Sequence, residues 1–181
     1  MGKIIQFASA MMVFVLMSGC ASNIGLIKYK GVSANIASTE QVSIIVKPYS
    51  PYISSKKGYI ESKLAFEQSM RDKLIANDRF ENVRVVNSDV DARSGFLLDV
   101  TFRDFEYLSG AASFFGGVFT GNAVLNVRVK LVDIKNQKLL GDYFAKSGTG
   151  YGGGIFRGST SSLIDAITDE LAREIILTSN S

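Results

Sequence analysis

Alternation of apolar and polar residues predicts most of the strands in this chain. Two stretches, 96–107 and 123–131, carry apolar side chains at alternate positions, with polar residues at most of the positions between them, which is the pattern of a strand with one buried face. The alternation changes phase after Arg103, so we expect a β-bulge near Arg103 and Asp104. Three shorter stretches complete a set of about five strands: 41–47, 82–87 and 139–147.

Apolar residues at helical spacing predict two helices. The first covers residues 59–76, and the members of its stripe are Ile60, Leu64, Phe66, Met70 and Leu74. The second covers residues 163–176, and the members of its stripe are Leu163, Ile164, Ile167, Leu171 and Ile175. The apolar stripe of the second helix is narrow, which is typical of a helix lying on a sheet.

The order of these elements predicts an α+β domain over residues 41–178. The first helix lies between the strands 41–47 and 82–87, and a strand-helix-strand unit can place its two strands in parallel. We expect the later strands to form an antiparallel meander. The prediction is therefore a mainly antiparallel sheet of about five strands with two helices packed on one face.

The apolar run near the N-terminus predicts a secretory signal. Residues 4–17 are uncharged and follow Lys3, but a helix that spans a bilayer needs about 20 apolar residues. A permanent transmembrane helix is therefore disfavoured. Small residues, Ser18 and Gly19, then precede Cys20, the only cysteine of the chain, as a cleavage site requires.

Met17-Ser18-Gly19-Cys20 resembles the lipobox of bacterial lipoproteins. The resemblance implies that residues 1–19 are removed and that Cys20 receives a diacylglyceryl group and a third acyl chain, enough for stable anchoring. Ala21, rather than Asp, follows the cysteine. In Gram-negative lipoproteins this implies transport to the outer membrane, where we expect the protein on the periplasmic face. The alternative is a buried free cysteine inside an uncleaved signal.

Residues 20–40 are predicted to be a flexible, lipidated tether, because Ser, Asn, Gly and Ala dominate and no period is sustained. Four larger side chains leave open the alternative that part of the stretch packs on the domain: Ile24, Leu26, Ile27 and Tyr29. The tether would otherwise let the domain stand clear of the membrane.

Composition excludes several kinds of chemistry. The chain has no histidine, which removes Ser-His-Asp and Cys-His catalysis and histidine-bearing zinc sites. Its net charge is only +3 and its basic residues are scattered, so nucleic acid is not an expected partner. We predict no enzyme, no cofactor and no metal. The best carboxylates for catalysis, Asp99, Asp104 and Glu106, lie on a strand face that is more simply explained as solvent-exposed.

Two motifs resemble ligand sites, but each lacks residues that such a site requires. Asp89 and Asp91 are spaced like the first ligands of a calcium loop, but its glycine and distal glutamate are missing, which favours a solvated turn. Glycines 148, 150 and 153 match G-x-G-x-x-G, yet no βαβ unit follows them. This second stretch is predicted to be a flexible crossover.

The connection between the two long strands is the candidate contact surface. Residues 108–121 contain four glycines and no charge, and exposed apolar patches commonly mark contacts with a partner or a membrane. The candidate contact residues are Phe114, Phe115, Val118 and Phe119. The alternative is that these side chains fold back over the open end of the core.

From about Val42 to Ile176, the order of elements resembles the bacterial lipoproteins grouped as domain of unknown function 4410. The most characteristic part is Leu-Val-Asp at 131–133, followed by a turn and Lys-Leu-Leu at 138–140. The glycine expected in that turn is replaced by Asn136-Gln137. The resemblance implies a lipoprotein domain and supplies no catalytic residue.

These observations predict a membrane-anchored envelope lipoprotein that acts as a non-enzymatic binding or assembly accessory. Its expected partners are the membrane, through the lipid on Cys20, and an envelope protein. The alternative is a periplasmic carrier of a lipid or another small apolar ligand, held in a cavity between sheet and helices.

Overall fold

The computed structural model describes residues 24–31, 36–76, 80–109, 123–147 and 159–178. In these ranges six strands form one sheet: β1 (Ile24–Lys30), β2 (Gln41–Pro48), β3 (Asn82–Val85), β4 (Phe96–Glu106), β5 (Val124–Asp133) and β6 (Lys138–Ser147). The helices are α1 (Pro51–Ser54), α2 (Tyr59–Ala76) and α3 (Thr160–Thr178), and a 3-10 turn covers Asp89–Asp91.

The sheet is mixed, in the order β1-β6-β5-β4-β2-β3. The pairs β4–β5, β5–β6 and β6–β1 are antiparallel, whereas β2 is parallel to both of its neighbours, β3 and β4. The α+β class and the parallel pairing of β2 with β3 are confirmed. The register also shifts between Phe102 and Asp104, where the bulge was predicted.

The sixth strand, β1, lies inside the predicted tether. Ile24–Lys30 pairs with β6 along its length, and both Ile24 and Leu26 pack against the core. A mobile tether over residues 20–40 therefore does not hold for this range, and the alternative of packing does. Ile27 and Tyr29 are exposed on the other face of β1, so the strand is only weakly apolar and its alternation is difficult to recognise.

The core lies between the sheet and the two long helices, with Phe102 of β4 near its centre. The Phe102 ring centre lies 5.9 Å from that of Tyr59, 5.5 Å from that of Phe66 and 6.1 Å from that of Phe105. Helix α3 buries all five predicted members of its stripe. Its hydroxyl Thr168 Oγ1 lies 2.8 Å from Ser69 Oγ of α2, so the two helices also contact each other.

Helix α2 buries a different stripe from the predicted one. Phe66, Met70 and Leu74 are buried as expected, but Ile60 and Leu64 are exposed. The buried stripe continues instead through Ser62 and Tyr59, because the Tyr59 ring meets Phe102 and Phe105 edge-on. Aromatic packing in three dimensions therefore decides which residues of the first two turns face the core.

The second face of the sheet is mostly polar. Near β2 the segment after β3 runs beside the sheet, since the N–H of Val86 donates to the carbonyl of Ile44 at 2.9 Å, and Ile45, Val86 and Ala92 are all buried. Further along, Arg128 donates two hydrogen bonds to the buried carboxylate of Asp142, at 3.0 and 2.7 Å. Within the described ranges, no helix combines the length and apolar composition that crossing a membrane requires.

Candidate functional site

The residues predicted to contact lipid or a partner lie outside the described residues: Cys20, Phe114, Phe115, Val118 and Phe119. The glycine-rich stretch 148–158 lies outside them as well. The structure does describe the residues that border these segments: Ile24 after Cys20, Ser109 and Ala123 around the Phe-rich connection, and Ser147 and Ser159 around the glycine-rich stretch. These bordering residues show where each segment joins the fold.

All of these flanking residues lie at one end of the sheet. Ile24, the first residue of β1, pairs with Ser147 at the end of β6. Ser147 Oγ in turn accepts a hydrogen bond of 2.7 Å from the backbone N–H of Leu125, near the start of β5. Leu125 pairs with Phe105 near the end of β4. Ile24, Ser147, Leu125 and Phe105 therefore lie side by side on four neighbouring strands, in a line across this end of the sheet.

Two hydrogen bonds hold the start of α3 at this same end of the sheet. The backbone N–H of Thr160 donates to the carbonyl of Leu108 at 2.9 Å, and the backbone N–H of Leu108 donates to Thr160 Oγ1 at 2.8 Å. Ser159 Oγ accepts from the N–H of Ser162 and caps the helix. We call this end of the sheet the leader end, defined by Ile24, Ser109, Ala123, Ser147 and Ser159.

The carboxylates weighed for catalysis have structural partners. Asp99 lies 3.2 Å from Lys47, Glu106 pairs with Lys56, and Asp104 Oδ1 accepts from the N–H of Phe105 at 2.9 Å. Asp89, one of the two carboxylates spaced like calcium ligands, is exposed and lies 3.2 Å from the ammonium group of Lys47. No three Asp, Glu, His or Cys side chains of the described ranges lie close enough together to hold a metal ion.

The most strongly shifted acid is a buried tyrosine. Burial, with a contribution from the negative charge of Glu67, raises the pKa of Tyr59 to about 12. Glu67 is itself buried and lies 2.7 Å from Lys63, one turn earlier in α2. The Tyr59 hydroxyl therefore keeps its proton well into the alkaline range, and its ring packs edge-on against Phe102 and Phe105.

This shift predicts a loss of stability in alkaline solution. Below pH 10 both folded and unfolded chains keep the proton, so Tyr59 adds no pH dependence. Between pH 10 and 12 the unfolded state loses it first, and the free energy of unfolding should fall by about 1.4 kcal/mol per pH unit. Urea unfolding of wild type and Tyr59→Phe across this range measures the effect. Equal slopes for the two proteins would contradict it.

Comparison with solved structures identifies a shared fold. The chain is similar to PelC from Paraburkholderia phytofirmans in two dodecameric structures, each with a TM-score of 0.58, at 15% and 14% identity, covering 85% of this chain and 98% of that chain. A Xanthomonas campestris protein of family DUF330 is less similar, with a TM-score of 0.48 and 10% identity. The match covers 82% of this chain and 91% of the Xanthomonas chain.

No family model and no curated protein sequence matches the chain. The resemblance to the 4410 lipoproteins therefore stays a prediction. At the identities found among the solved structures, the similarity to PelC concerns the fold alone.

Proposed function

We propose that the protein is a lipid-anchored envelope protein that binds a partner at the membrane and catalyses no reaction. The observation that carries the proposal is the convergence at the leader end. The chain enters the sheet at Ile24, four residues after Cys20, and the Phe-rich connection leaves and returns at this same end, after Ser109 and before Ala123.

The short distance from Cys20 to β1 decides how the fold sits at the membrane. Four residues reach at most about 14 Å when fully extended. With acyl chains on Cys20, the leader end would lie close to the bilayer surface, at the periplasmic face of the outer membrane. The long tether that the sequence alone predicts is replaced by a short linker.

This arrangement narrows the kind of partner. The connection with Phe114, Phe115, Val118 and Phe119 joins the fold beside the anchored end, so a protein that it contacts would also be associated with the membrane. PelC, which has a similar fold, is dodecameric in both structures. That supports a second copy of this chain as the first partner to consider.

The alternative carrier function needs an apolar cavity between the sheet and the helices. In the described residues this layer is occupied by side chains with no solvent exposure: Phe66, Met70, Phe102, Leu125, Val127, Val129, Ile167 and Leu171. Close packing of this kind leaves few voids larger than a water molecule. It supports a binding role at the surface over a ligand held inside.

Replacing Phe114, Phe115 and Phe119 together by serine tests the partner contact. We expect the triple variant to lose its crosslinks in intact cells, including crosslinks to other copies of itself, because an apolar contact is lost. Circular dichroism should be unchanged, since the described core is built from other residues. Leu177→Ser, an exposed apolar position in the last turn of α3, is the matched control. Crosslinks that survive in the triple variant would exclude this connection as the contact.

A further inference from the structure

Three exposed tyrosines lie at the leader end. Tyr49 follows β2 and is 58% exposed, Tyr52 is in α1 and is 68% exposed, and Tyr107 follows β4 and is 40% exposed. We call them the tyrosine surface. Tyrosine is intermediate in burial among the residue types, so the feature that requires a physical explanation is the grouping of three exposed rings at one end of the sheet.

The fold holds these rings in place. The Arg103 guanidinium lies 3.7 Å from the centre of the Tyr49 ring, and the Lys56 ammonium lies 4.7 Å from that of Tyr52. Lys56 also pairs with Glu106, the neighbour of Tyr107. Buried Ile53 fixes α1 on the domain. The tyrosine surface is thus a built feature of the leader end.

A glycine allows Tyr107 its position. Gly58 has a φ of +75°, and a Cβ there would lie 2.4 Å from the Tyr107 ring. The ring therefore lies directly on the backbone just before α2. Any other residue would both strain this backbone conformation and displace the ring.

The strand register shows how far the tyrosine surface lies along the sheet relative to Ile24, the first residue of β1. Phe105 lies in the row that includes Ile24, through Leu125 and Ser147. Tyr107 is two residues beyond Phe105, and Tyr52 follows β2, whose last residue, Pro48, pairs with Phe102. The tyrosine surface therefore lies beyond the strand ends on the same side of the sheet's middle as Ile24, where the described chain begins.

The chemistry of this surface fits the boundary between lipid and water. Tyrosine is enriched at membrane interfaces because its ring prefers the apolar side and its hydroxyl stays hydrated. Arg and Lys suit the same boundary, because their stems lie along apolar surface while their charged heads stay in water. The nearby charges almost balance, with Arg103, Lys56 and Lys57 against Asp104 and Glu106, so we attribute the contact to the rings rather than to net charge.

We propose that the tyrosine surface docks on the lipid headgroup region of the bilayer and holds the fold end-on. This inference rests on the proposed lipid at Cys20, which would keep Ile24, at the same end of the sheet, within about 14 Å of the membrane. Lipidation supplies the anchor, and the tyrosine surface supplies the orientation that acyl chains on a short linker do not fix.

Single-tryptophan variants test the docking directly, because the chain contains no tryptophan. The full lipoprotein is made as Tyr52→Trp, as Tyr49→Trp and as Leu177→Trp. Position 177 lies near the opposite end of α3, about 25 Å along the helix from its start. Each protein is reconstituted in vesicles of phosphatidylethanolamine and phosphatidylglycerol that contain brominated phosphatidylcholine. We expect several-fold stronger quenching at positions 52 and 49 than at 177.

The outcomes separate docking from anchoring. If the protein floats with the vesicles but position 52 is quenched no more than 177, the docking is wrong and the anchor stands. If the protein does not float with the vesicles, the proposed lipid anchor is wrong, and the docking, which depends on that anchor, is wrong as well. A photo-crosslinker at position 52 that captures an envelope protein in cells, rather than lipid, would also overturn the inference. The Tyr49→Trp variant serves if Tyr52→Trp does not fold.

Discussion

Replacing Cys20 by serine is expected to abolish lipid labelling and to leave the precursor uncleaved. A thiol ionises near pH 8.5 and its thiolate is a strong nucleophile, whereas a serine hydroxyl is not. Because Cys20 is the only cysteine in the chain, no other thiol can take the acyl group. The expected effect is all-or-none, the largest that any single substitution should have on localisation.

The measurement is labelling of growing cells with radioactive palmitate, followed by separation of membranes. Ser18→Ala is the matched control, since alanine is the usual residue at this place of a lipobox, and it should be labelled as wild type is. A Cys20→Ser protein that is processed normally or still carries the label would refute both the lipid anchor and the localisation that follows from it.

Phe102→Ala should have the largest effect on stability. Phe102 is fully buried and its ring contacts those of Tyr59, Phe66 and Phe105. Truncating a buried phenylalanine costs about 3–5 kcal/mol, because transfer energy is lost and a cavity remains. A typical domain has only about 5–15 kcal/mol of stability, so much of this margin should disappear.

Urea unfolding of the unlipidated chain measures the loss. Val90→Ala is the matched control, because Val90 is 81% exposed on the 3-10 turn and its truncation should change stability by about 0.5 kcal/mol or less. If Phe102→Ala were no more destabilising than Val90→Ala, the core could not be centred on this aromatic group.

The long strands and helices were predictable because one strong local pattern governs each of them. In β5 and α3 the apolar side chains that face the core are those that the period selects. Helix α2 shows where this reasoning fails. Its exposed Ile60 and Leu64 fit a helical stripe as well as the buried Tyr59 and Ser62 do. The choice between them is made by Phe102 and Phe105, which are distant in the sequence.

Strand β1 was missed for a related reason. It is an edge strand, and its Ile27 and Tyr29 face outward while Leu26 packs on the core. Its pairing with β6 involves residues more than a hundred positions away. No local pattern reports such a partner, so a weakly alternating stretch was predicted to be a tether.

The leader end could not be foreseen either. Cys20 and the Phe-rich connection were each recognisable from their own residues. The placement of Ile24, Ser109 and Ala123 at one end of the sheet depends on β1 joining the far edge antiparallel to β6, and on Thr160 bonding to Leu108. The tyrosine surface depends in addition on the bulge in β4 and on Gly58. Topology rather than composition brings these features to one end of the sheet.

Both the proposed localisation and the membrane docking depend on the lipid at Cys20, and intact-mass spectrometry of the protein extracted from membranes tests this modification most directly. We predict one species that begins at Cys20, lacks residues 1–19 and carries the added mass of a diacylglyceryl group and a third acyl chain. A chain that keeps its first 19 residues, or one with an unmodified thiol at Cys20, would contradict both the lipid anchor and the membrane docking that depends on it.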